Sequence, residues 1–348
     1  MSDKIFFLSD YMEGAHPAII EKLVETNLEH TPGYGTDLYT ENAKEMIREA
    51  CGCLNAEVKF LMGGTQTNAT VIDAILRSYQ GVIAANTGHI NGHEAGAVEF
   101  CGHKVLALPN KMGKISAEQV EDIICAYNRD ESREHTVMPG MVYISQPTEY
   151  GTIYSKHELE ELSKVCRNAG ITLFVDGARL AYALAAEEND VSLMDLAKLC
   201  DAFYIGGTKC GALFGEAVVI PNPDLIPHFF TLIKQHGALL AKGRLLGIQF
   251  ATLFTDGLYE RIGESAVSFA NLIRKTLREN GYKLFIDSPT NQVFPIIEDE
   301  KLRRLSEHVA FEIWEKYDEN HTVIRFVTSW ATEEKDVAKL IKILESGI

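Results

Sequence analysis

Long apolar runs are missing from this sequence of 348 residues. A helix that spans a membrane needs about 20 consecutive apolar residues, and no stretch of the chain approaches that length. The apolar run at 5–8 is too short for the core of a signal peptide, and acidic residues flank it. We therefore expect a cytoplasmic protein that does not act at a membrane.

Positive charge is scarce as well. Lys and Arg total 33 against 49 Asp and Glu, which gives a formal net charge of −16. A chain this acidic gains nothing from counterion release on nucleic acid and is repelled by anionic lipid. We therefore expect a small molecule as the partner, and any anionic group on it has to meet a local positive site.

The chain has no C-x-x-C pair. Its seven cysteines are an odd number and are spread from Cys51 to Cys210. This pattern is typical of buried, reduced thiols in the cytosol, and it argues against a disulfide framework or a zinc site.

What the chain does contain is a series of short apolar runs that alternate with segments of helical period. The runs lack polar alternation, which is typical of strands in a mostly parallel sheet with helices on both faces. Two segments, Ser116-x-x-Gln119 and Ser155-x-x-Glu158, have the pattern of a capping box at a helix start. Together these features predict a doubly wound α/β domain. The predicted strands are 58–62, 81–86, 104–109, 141–146, 171–176 and 202–207.

The pattern changes after about residue 222, and the length of the chain also favours two domains. A long helical stretch at 224–280 precedes a second set of short elements, which predicts a smaller α+β domain. We predict an N-terminal arm at 1–20, a large α/β domain at 21–250 and the small C-terminal domain at 251–348. The elements predicted after 280 are strands at 282–286, 292–296 and 322–328, a helix around 300–318 and a final helix.

The segment MGGTQTN at 62–68 follows a buried strand and opens a helix. Gly63 and Gly64 let the backbone approach a ligand closely, and the helix N-terminus offers free N–H groups and the positive end of a dipole. Thr65 and Thr67 add hydroxyl donors. The segment is a candidate phosphate site, with an ordinary glycine turn as the alternative, and it matches neither a Walker loop nor a dinucleotide fingerprint.

Two charged residues follow buried strands. Asp176 ends the strand ITLFVD, and Lys209 comes directly after AFYIGGT. Ligands of open α/β sheets bind at the carboxyl ends of strands, where a buried carboxylate needs a cation such as a protonated pyridine nitrogen. Burial lowers the pKa of a lysine and favours its reaction with an aldehyde. The alternatives are an ion pair of Asp176 with Arg179 or a helix cap, and a lysine that reaches solvent.

A phosphate site, then a strand-end Asp176, then a strand-end Lys209 is the order seen in fold-type-I pyridoxal phosphate enzymes. The chain resembles the threonine aldolase group of the β-eliminating lyases within that class. The resemblance extends from LSDYMEGAHP to RFVTSWATEE, and the motifs GGTQTN, HINGHEAG, DGAR and GGTKCG carry most of it. It implies the fold of pyridoxal phosphate-dependent transferases and retro-aldol cleavage of L-threonine or L-allo-threonine to glycine and acetaldehyde.

The resemblance also implies which residues bind pyridoxal 5′-phosphate. Lys209 binds the cofactor covalently, Asp176 keeps the pyridine nitrogen protonated, and His89 stacks on the ring. Lys234 and Lys242 supply positive charge for the phosphate, often from a neighbouring subunit, and the sequence does not separate Lys242 from the nearby Arg244. The full cofactor-binding set is Gly64, Thr65, His89, Asp176, Thr208, Lys209, Lys234 and Lys242.

Four residues correspond to positions around the substrate. Arg325 matches the arginine that binds the substrate carboxylate, since its planar guanidinium holds a carboxylate bidentately. Ser9 and Arg179 match positions that assist it. Tyr34 corresponds to an aromatic residue that reaches the site of a partner subunit, with a surface aromatic in a turn as the alternative. The resemblance therefore implies a homodimer or homotetramer with shared active sites.

One position departs from the pattern of many threonine aldolases. Where they carry a histidine that contacts the β-hydroxyl of the substrate, this chain has Glu149 in SQPTEYG. A carboxylate can also accept the hydroxyl proton as a general base, so Glu149 is the candidate base, with His89 or a water as alternatives. The predicted catalytic residues are Lys209, His89, Glu149 and Asp176.

Other functions stay open at this point. His89 and His93 with Glu94 could suggest a metal site, but the H-E-x-x-H order is absent and we expect no metal. A β-elimination of the kind catalysed by tyrosine phenol-lyase or tryptophanase uses the same carbanion and is the second hypothesis. An aminotransferase or a non-catalytic protein that only binds pyridoxal phosphate is the third.

Overall fold

The chain forms two main β-sheets, described over residues 4–347 by a computed structural model. Within this range, no helix is both long enough and apolar enough to cross a membrane. The strands are β1 (Ile5–Phe6), β2 (Glu57–Leu61), β3 (Gln80–Ala85), β4 (Lys104–Leu108), β5 (Met138–Ser145), β6 (Thr172–Asp176), β7 (Ala202–Gly206), β8 (Glu216–Ile220), β9 (Lys283–Ile286), β10 (Gln292–Glu298), β11 (Val309–Ala310), β12 (Glu312–Lys316) and β13 (His321–Val327).

Helices connect most of these strands. The α-helices are α1 (Pro17–Glu25), α2 (Leu38–Ala50), α3 (Gly64–Ile75), α4 (His89–Gly92), α5 (Ala97–Phe100), α6 (Ala117–Arg129), α7 (Lys156–Ala169), α8 (Leu180–Leu184), α9 (Leu193–Leu199), α10 (Phe229–Gln235), α11 (Arg244–Leu253), α12 (Leu258–Glu279), α13 (Asp299–His308) and α14 (Glu334–Glu345). Short 3₁₀ helices lie at Arg133–His135 and Pro223–Leu225. The predicted capping boxes at the starts of α6 and α7 are both present.

The large sheet has seven strands in the order β2-β8-β7-β6-β5-β3-β4. Strands β7, β6, β5, β3 and β4 run parallel, whereas β8 is antiparallel to both of its neighbours. Side chains of β6 show why its sequence lacks polar alternation. Leu173 and Val175 face one hydrophobic core, and Phe174 faces a second core on the opposite side of the sheet. The predicted doubly wound α/β fold is confirmed, and each predicted strand of this sheet corresponds to one of β2–β7.

The register of the sheet gathers several strand ends at one edge. Ser145 of β5 lies beside Asp176 of β6, and Gly206 of β7 lies opposite Glu216, the first residue of β8. Glu216 is also opposite Leu61, the last residue of β2. The segments that follow β2, β5, β6 and β7 therefore start from the same edge.

The small sheet is antiparallel, with the order β12-β13-β10-β9. The prediction of a helix around 300–318 is wrong beyond His308, because α13 ends there and β11 and β12 follow. The residues after His308 are rich in β-branched and aromatic side chains, and they pair with β1 and β13 instead of extending the helix. The predicted domain boundaries at residues 20 and 250 stay predictions.

Candidate active site

A cavity of about 410 Å³ opens at the edge where these strand ends meet. Its walls come from both sheets, and the small sheet contributes Glu312, Trp314 and Arg325. The structure brings nine of the predicted site residues into this cavity, whereas Ser9, Tyr34, Lys234 and Lys242 lie elsewhere in the chain. The nine residues that line it are Gly64, Thr65, His89, Glu149, Asp176, Arg179, Thr208, Lys209 and Arg325.

Asp176 is buried at the end of β6 and is held by three hydrogen bonds. The Tyr143 hydroxyl donates to its Oδ2 at 2.6 Å, and the Asn68 side-chain amide donates to the same oxygen at 2.9 Å. The Ala178 backbone N–H donates to Oδ1 at 3.0 Å. Burial alone raises the pKa of Asp176, but His89 and these hydrogen bonds outweigh it and hold the pKa below its ordinary value. A buried carboxylate that stays ionised provides a counter-ion for a cationic ligand atom.

Lys209 lies in the hairpin between β7 and β8. Burial lowers the pKa of Lys209 below the ordinary value of a lysine, and the positive charge of Arg179 acts in the same direction. A lysine with a lowered pKa holds more of its amine in the neutral, nucleophilic form. The Tyr182 hydroxyl donates to the Lys209 carbonyl at 2.5 Å and so fixes the backbone at this position.

Glu216 supports the same hairpin from the start of β8. Its carboxylate accepts a hydrogen bond from the Thr208 hydroxyl at 2.7 Å and another from the Gly207 N–H at 3.1 Å. Burial raises the pKa of Glu216 above its ordinary value, while Lys209 opposes the shift. Thr208 therefore contacts the carboxylate of Glu216 in this structure. Thr208 and Glu216 together hold the loop that carries Lys209.

The start of α3 has the properties of an anion site. Its N-cap residue, Gly63, provides no side-chain cap for the helix N–H groups. A Cβ atom built on Gly64 comes within 3.2 Å of the Tyr204 hydroxyl, so this backbone passes close to a buried polar group. The same hydroxyl also interacts with the buried carboxylate of Asp176. Thr65 is exposed to the cavity, and together these groups fit a phosphate ester.

His89 is positioned by a buried glutamate. Its Nδ1 lies 2.7 Å from Oε1 of Glu94, whose side chain is 0% exposed. The same oxygen accepts a hydrogen bond from Asn68 at 2.7 Å, and Asn68 also contacts Asp176. Glu94 thus fixes the orientation of the His89 ring and links it to the counter-ion Asp176.

Glu149 lies next to His89 in the lining of the cavity. Its Oε1 accepts hydrogen bonds from the His89 backbone N–H and from the Ser145 hydroxyl, both at 2.8 Å. Burial raises the pKa of Glu149 above its ordinary value, although the hydrogen bond from Ser145 favours the charged form and acts in the opposite direction. A carboxylate with a raised pKa is a better proton acceptor than an ordinary surface glutamate.

Arg179 is bound to a residue that the sequence reasoning did not identify. Its Nε and Nη2 donate to the two carboxylate oxygens of the buried Asp10, at 2.7 and 3.0 Å. The Asn291 side chain also donates to Asp10 at 3.0 Å. Ser9 is buried beside a separate cavity formed with residues of the N-terminal strand and Ser329. In this structure Asp10, and not Ser9, makes the contact with Arg179.

Arg325 lies on β13, and its side chain is 8% exposed. Its Nη1 donates to Oε1 of Gln292 at 2.7 Å, and its Nη2 contacts Oε2 of Glu312. The guanidinium carbon lies 5.1 Å from the centre of the Trp314 ring. The buried Nε has no hydrogen-bond partner within residues 4–347. Burial lowers the pKa of Arg325, and Arg179 acts in the same direction.

The other predicted residues form a second group away from this cavity. The Lys234 ammonium lies 4.6 Å from the centre of the Tyr34 ring, and Tyr34 is 44% exposed. Lys242 is exposed, while Arg244 donates to the backbone carbonyls of Asn27 and Glu29. The structure thus separates the two candidates: Arg244 is used within its own chain, and Lys242 projects outward.

Within residues 4–347, no group of three or more His, Cys, Asp or Glu side chains is placed to hold a metal ion. The rings of His89 and His93 lie 5.8 Å apart, but Glu94 contacts His89 by a hydrogen bond to Nδ1.

The doubly wound sheet, with Asp176 and Lys209 at its carboxyl edge, has the fold of the fold-type-I pyridoxal phosphate enzymes. A Thermus thermophilus aspartate aminotransferase has this fold and superposes with a TM-score of 0.73 over 100% of this chain and 92% of its own, at 17% identity. The family model described as beta-eliminating lyase matches residues 7–299, and the chain belongs to that family. The predicted family is therefore confirmed.

Within this family, the chain is similar to threonine aldolases. The structure of Leishmania major threonine aldolase superposes with a TM-score of 0.95 at 42% identity, over 98% of this chain and 99% of its own. The low specificity L-threonine aldolase of Pseudomonas aeruginosa is 30% identical over 97% of this chain and 96% of its own. That of Pseudomonas sp. is also 30% identical, over 96% and 95%.

Proposed function

We propose that the chain is a pyridoxal phosphate-dependent aldehyde-lyase that cleaves L-threonine or L-allo-threonine to glycine and acetaldehyde. One cavity contains a lysine with a lowered pKa, an ionised buried aspartate, a candidate base and an arginine, and this arrangement carries the proposal. The similarity to three threonine aldolases over nearly the whole chain supports the same reaction.

The cofactor fits the groups around the cavity. Lys209 provides the amine for its aldehyde, Asp176 a counter-ion for its pyridine nitrogen, and the start of α3 at Gly64 an anion site for its phosphate. His89, fixed by Glu94, lies in the same cavity as a flat ring. When bound, pyridoxal phosphate supplies an electron sink for the electron pair left on Cα.

The remaining residues orient the substrate and move its proton. Arg325 binds the carboxylate through its planar guanidinium, and Arg179, paired with Asp10, lines the same cavity. Glu149 accepts the proton of the β-hydroxyl as the Cα–Cβ bond breaks, so the β-carbon leaves as an aldehyde. Because Ser145 and the His89 N–H both hold its Oε1, the orientation of the Glu149 carboxylate is set before the substrate binds.

Aldehyde release tests this proposal directly. Purified, cofactor-loaded protein is mixed with L-threonine or L-allo-threonine, and acetaldehyde is measured by coupling to alcohol dehydrogenase. We expect acetaldehyde and glycine in equal amounts. Keto acid and ammonia instead would establish β-elimination, and transfer of the amine to an added keto acid would establish an aminotransferase.

Replacement of Glu149 by glutamine tests the base. We expect kcat to fall about 10²- to 10⁴-fold, because the amide cannot accept the hydroxyl proton. In the unchanged protein, kcat/KM should rise with pH through the pKa of Glu149, which burial places above the ordinary range of a glutamate. That acid limb should disappear in Glu149→Gln.

The matched control for this test is Glu121→Gln, which removes an exposed carboxylate from α6. Its pH profile should match that of the unchanged protein. If Glu149→Gln keeps both its rate and its acid limb, while His89→Asn loses them, then His89 is the base.

We further propose that two or more copies share active sites in a cytoplasmic homo-oligomer. The exposed Tyr34 and Lys242, with Lys234 against the Tyr34 ring, form an aromatic and basic patch that suits a phosphate held by a neighbouring copy. All seven cysteines are free thiols, which agrees with a reducing compartment. Sedimentation velocity of the cofactor-loaded protein measures the assembly, and a monomer would contradict it.

A further inference from the structure

Glu312 places a carboxylate on the arginine that is expected to bind the substrate. Glu312 and Arg325 are direct cross-strand neighbours in β12 and β13, and Oε2 of Glu312 contacts Nη2 of Arg325. Both residues line the cavity. The register between the strands shifts between Ile313 and Glu315, which is the kind of bulge that re-aims side chains beside a functional site.

The contact of Glu312 with Nη2 of Arg325 affects carboxylate binding because of the geometry of the guanidinium. A carboxylate binds an arginine bidentately along one of two edges, either Nε with Nη2 or Nη1 with Nη2. Both edges include Nη2, the nitrogen that Glu312 contacts. Nη1 is already bound to Gln292 and the Nε is buried, so Nη2 is the donor for which Glu312 and a ligand carboxylate compete.

The exposure of the two partners differs, and this difference decides which of them can move. The Arg325 side chain is 8% exposed, whereas that of Glu312 is 41% exposed. A buried guanidinium without a counter-ion is strongly disfavoured, so Glu312 stabilises Arg325 while the site is empty. Glu312 can turn into solvent without burying its own charge when another carboxylate takes its place.

We propose that Glu312 is a resident competitor for the carboxylate site on Arg325, and that it thereby sets the affinity of the enzyme for its amino acid substrate. A competitor on a neighbouring strand acts at a high effective concentration, so a ligand carboxylate has to displace it in every binding event. This inference rests on the proposed function in one respect, the assignment of the substrate carboxylate to Arg325.

The test uses 3-hydroxybutanoate, which has the carboxylate and the β-hydroxyl of threonine but no amine, so it binds without reacting. Its dissociation constant is measured by titration calorimetry on the cofactor-loaded protein. We expect Glu312→Gln to bind this ligand roughly five-fold more tightly, because the neutral amide competes less well than a partly exposed charge. The KM for the amino acid substrate should fall by a similar factor.

The matched control is Glu315→Gln, which removes one negative charge from the same strand at an exposed position. It should leave the dissociation constant unchanged, which separates competition at Arg325 from a general change in charge. A second variant, Glu312→Asp, keeps the charge on a side chain one methylene shorter and should also bind the ligand more tightly than the unchanged protein.

Weaker or unchanged binding in Glu312→Gln and Glu312→Asp would overturn the proposal, and weaker binding would show that Glu312 orients Arg325. Equal tightening in Glu315→Gln would overturn it as well. If the proposed cleavage does not occur, no acetaldehyde will form. The titration of 3-hydroxybutanoate would still measure binding of a carboxylate, because it does not require turnover.

Discussion

Replacement of Lys209 by alanine should abolish covalent attachment of pyridoxal phosphate and lower kcat/KM by about 10³-fold or more. The buried amine with its lowered pKa is the nucleophile that the cavity offers to the cofactor aldehyde. The variant should lose the visible absorbance of the lysine-bound cofactor and its trapping by borohydride. Mass spectrometry of the reduced protein measures the attachment and locates it in the peptide that contains Thr208 and Cys210.

The matched control for this change is Lys275→Ala, on an exposed face of α12, where the lysine side chain is 69% exposed. It should keep both the absorbance and the activity. If Lys209→Ala still gave a borohydride-stable adduct at the same site of the protein, the assignment of Lys209 would be wrong. Normal thermal unfolding in both variants would show that the loss is chemical and not a loss of the fold.

Replacement of Arg325 by lysine should lower kcat/KM by roughly 10²-fold, mainly through a higher KM. A lysine retains the positive charge but loses the planar pair of donors that holds a carboxylate bidentately. It also leaves Gln292 and Glu312 without the partners that they have in this structure. Steady-state kinetics with L-threonine, together with titration of 3-hydroxybutanoate, measures the effect.

Arg278→Lys serves as the control, because Arg278 forms an exposed ion pair with Asp287 outside the cavity. Its kinetic constants should stay within two-fold of those of the unchanged protein, since exposed ion pairs contribute about 1 kcal/mol or less. An unchanged KM in Arg325→Lys would mean that the substrate carboxylate binds elsewhere, with Arg179 as the remaining cationic candidate.

The large sheet was predictable because its strands are buried on both faces. Their continuous apolar runs reflect two hydrophobic cores, as Phe174 and Val175 show by facing opposite sides. Strand β8 was not predicted, since EAVVI follows a glycine-rich hairpin and begins with a charged residue. Glu216 is the first residue of that strand. Its place at the site follows only from the antiparallel register, which puts it opposite Gly206.

The error at residues 300–318 has a different physical origin. The run of charged residues in α13 has helical character, and a sequence alone does not show that β1 and β13 compete for the residues after His308.

The pairing of Asp10 with Arg179 joins residues 169 positions apart. No local pattern predicts such a contact, although the motif LSDYMEG contains the acidic residue that makes it, Asp10.

The supporting residues of the site were missed for the same reason. Tyr143 and Asn68 contact Asp176 from two other elements, and Glu94 was considered only as a metal ligand. Strand-end residues such as Asp176 and Lys209 follow from position in the sheet. Their hydrogen-bond partners depend on side-chain directions that a sequence does not contain.

The pairing of β1 with β11 has a consequence for the order in which the enzyme is made. The ribosome delivers the Asp10 region first and Glu216 much later, so β6, which carries Asp176, and the β7–β8 hairpin, which carries Lys209, can assemble while Val309 and Ala310 are still unsynthesised. Strand β1 can therefore pair with β11 only after that strand, near the other end of the chain, has been synthesised. Under the proposed function, a nascent chain therefore completes the part that carries Asp176 and Lys209 before Arg325, the proposed carboxylate ligand, has emerged.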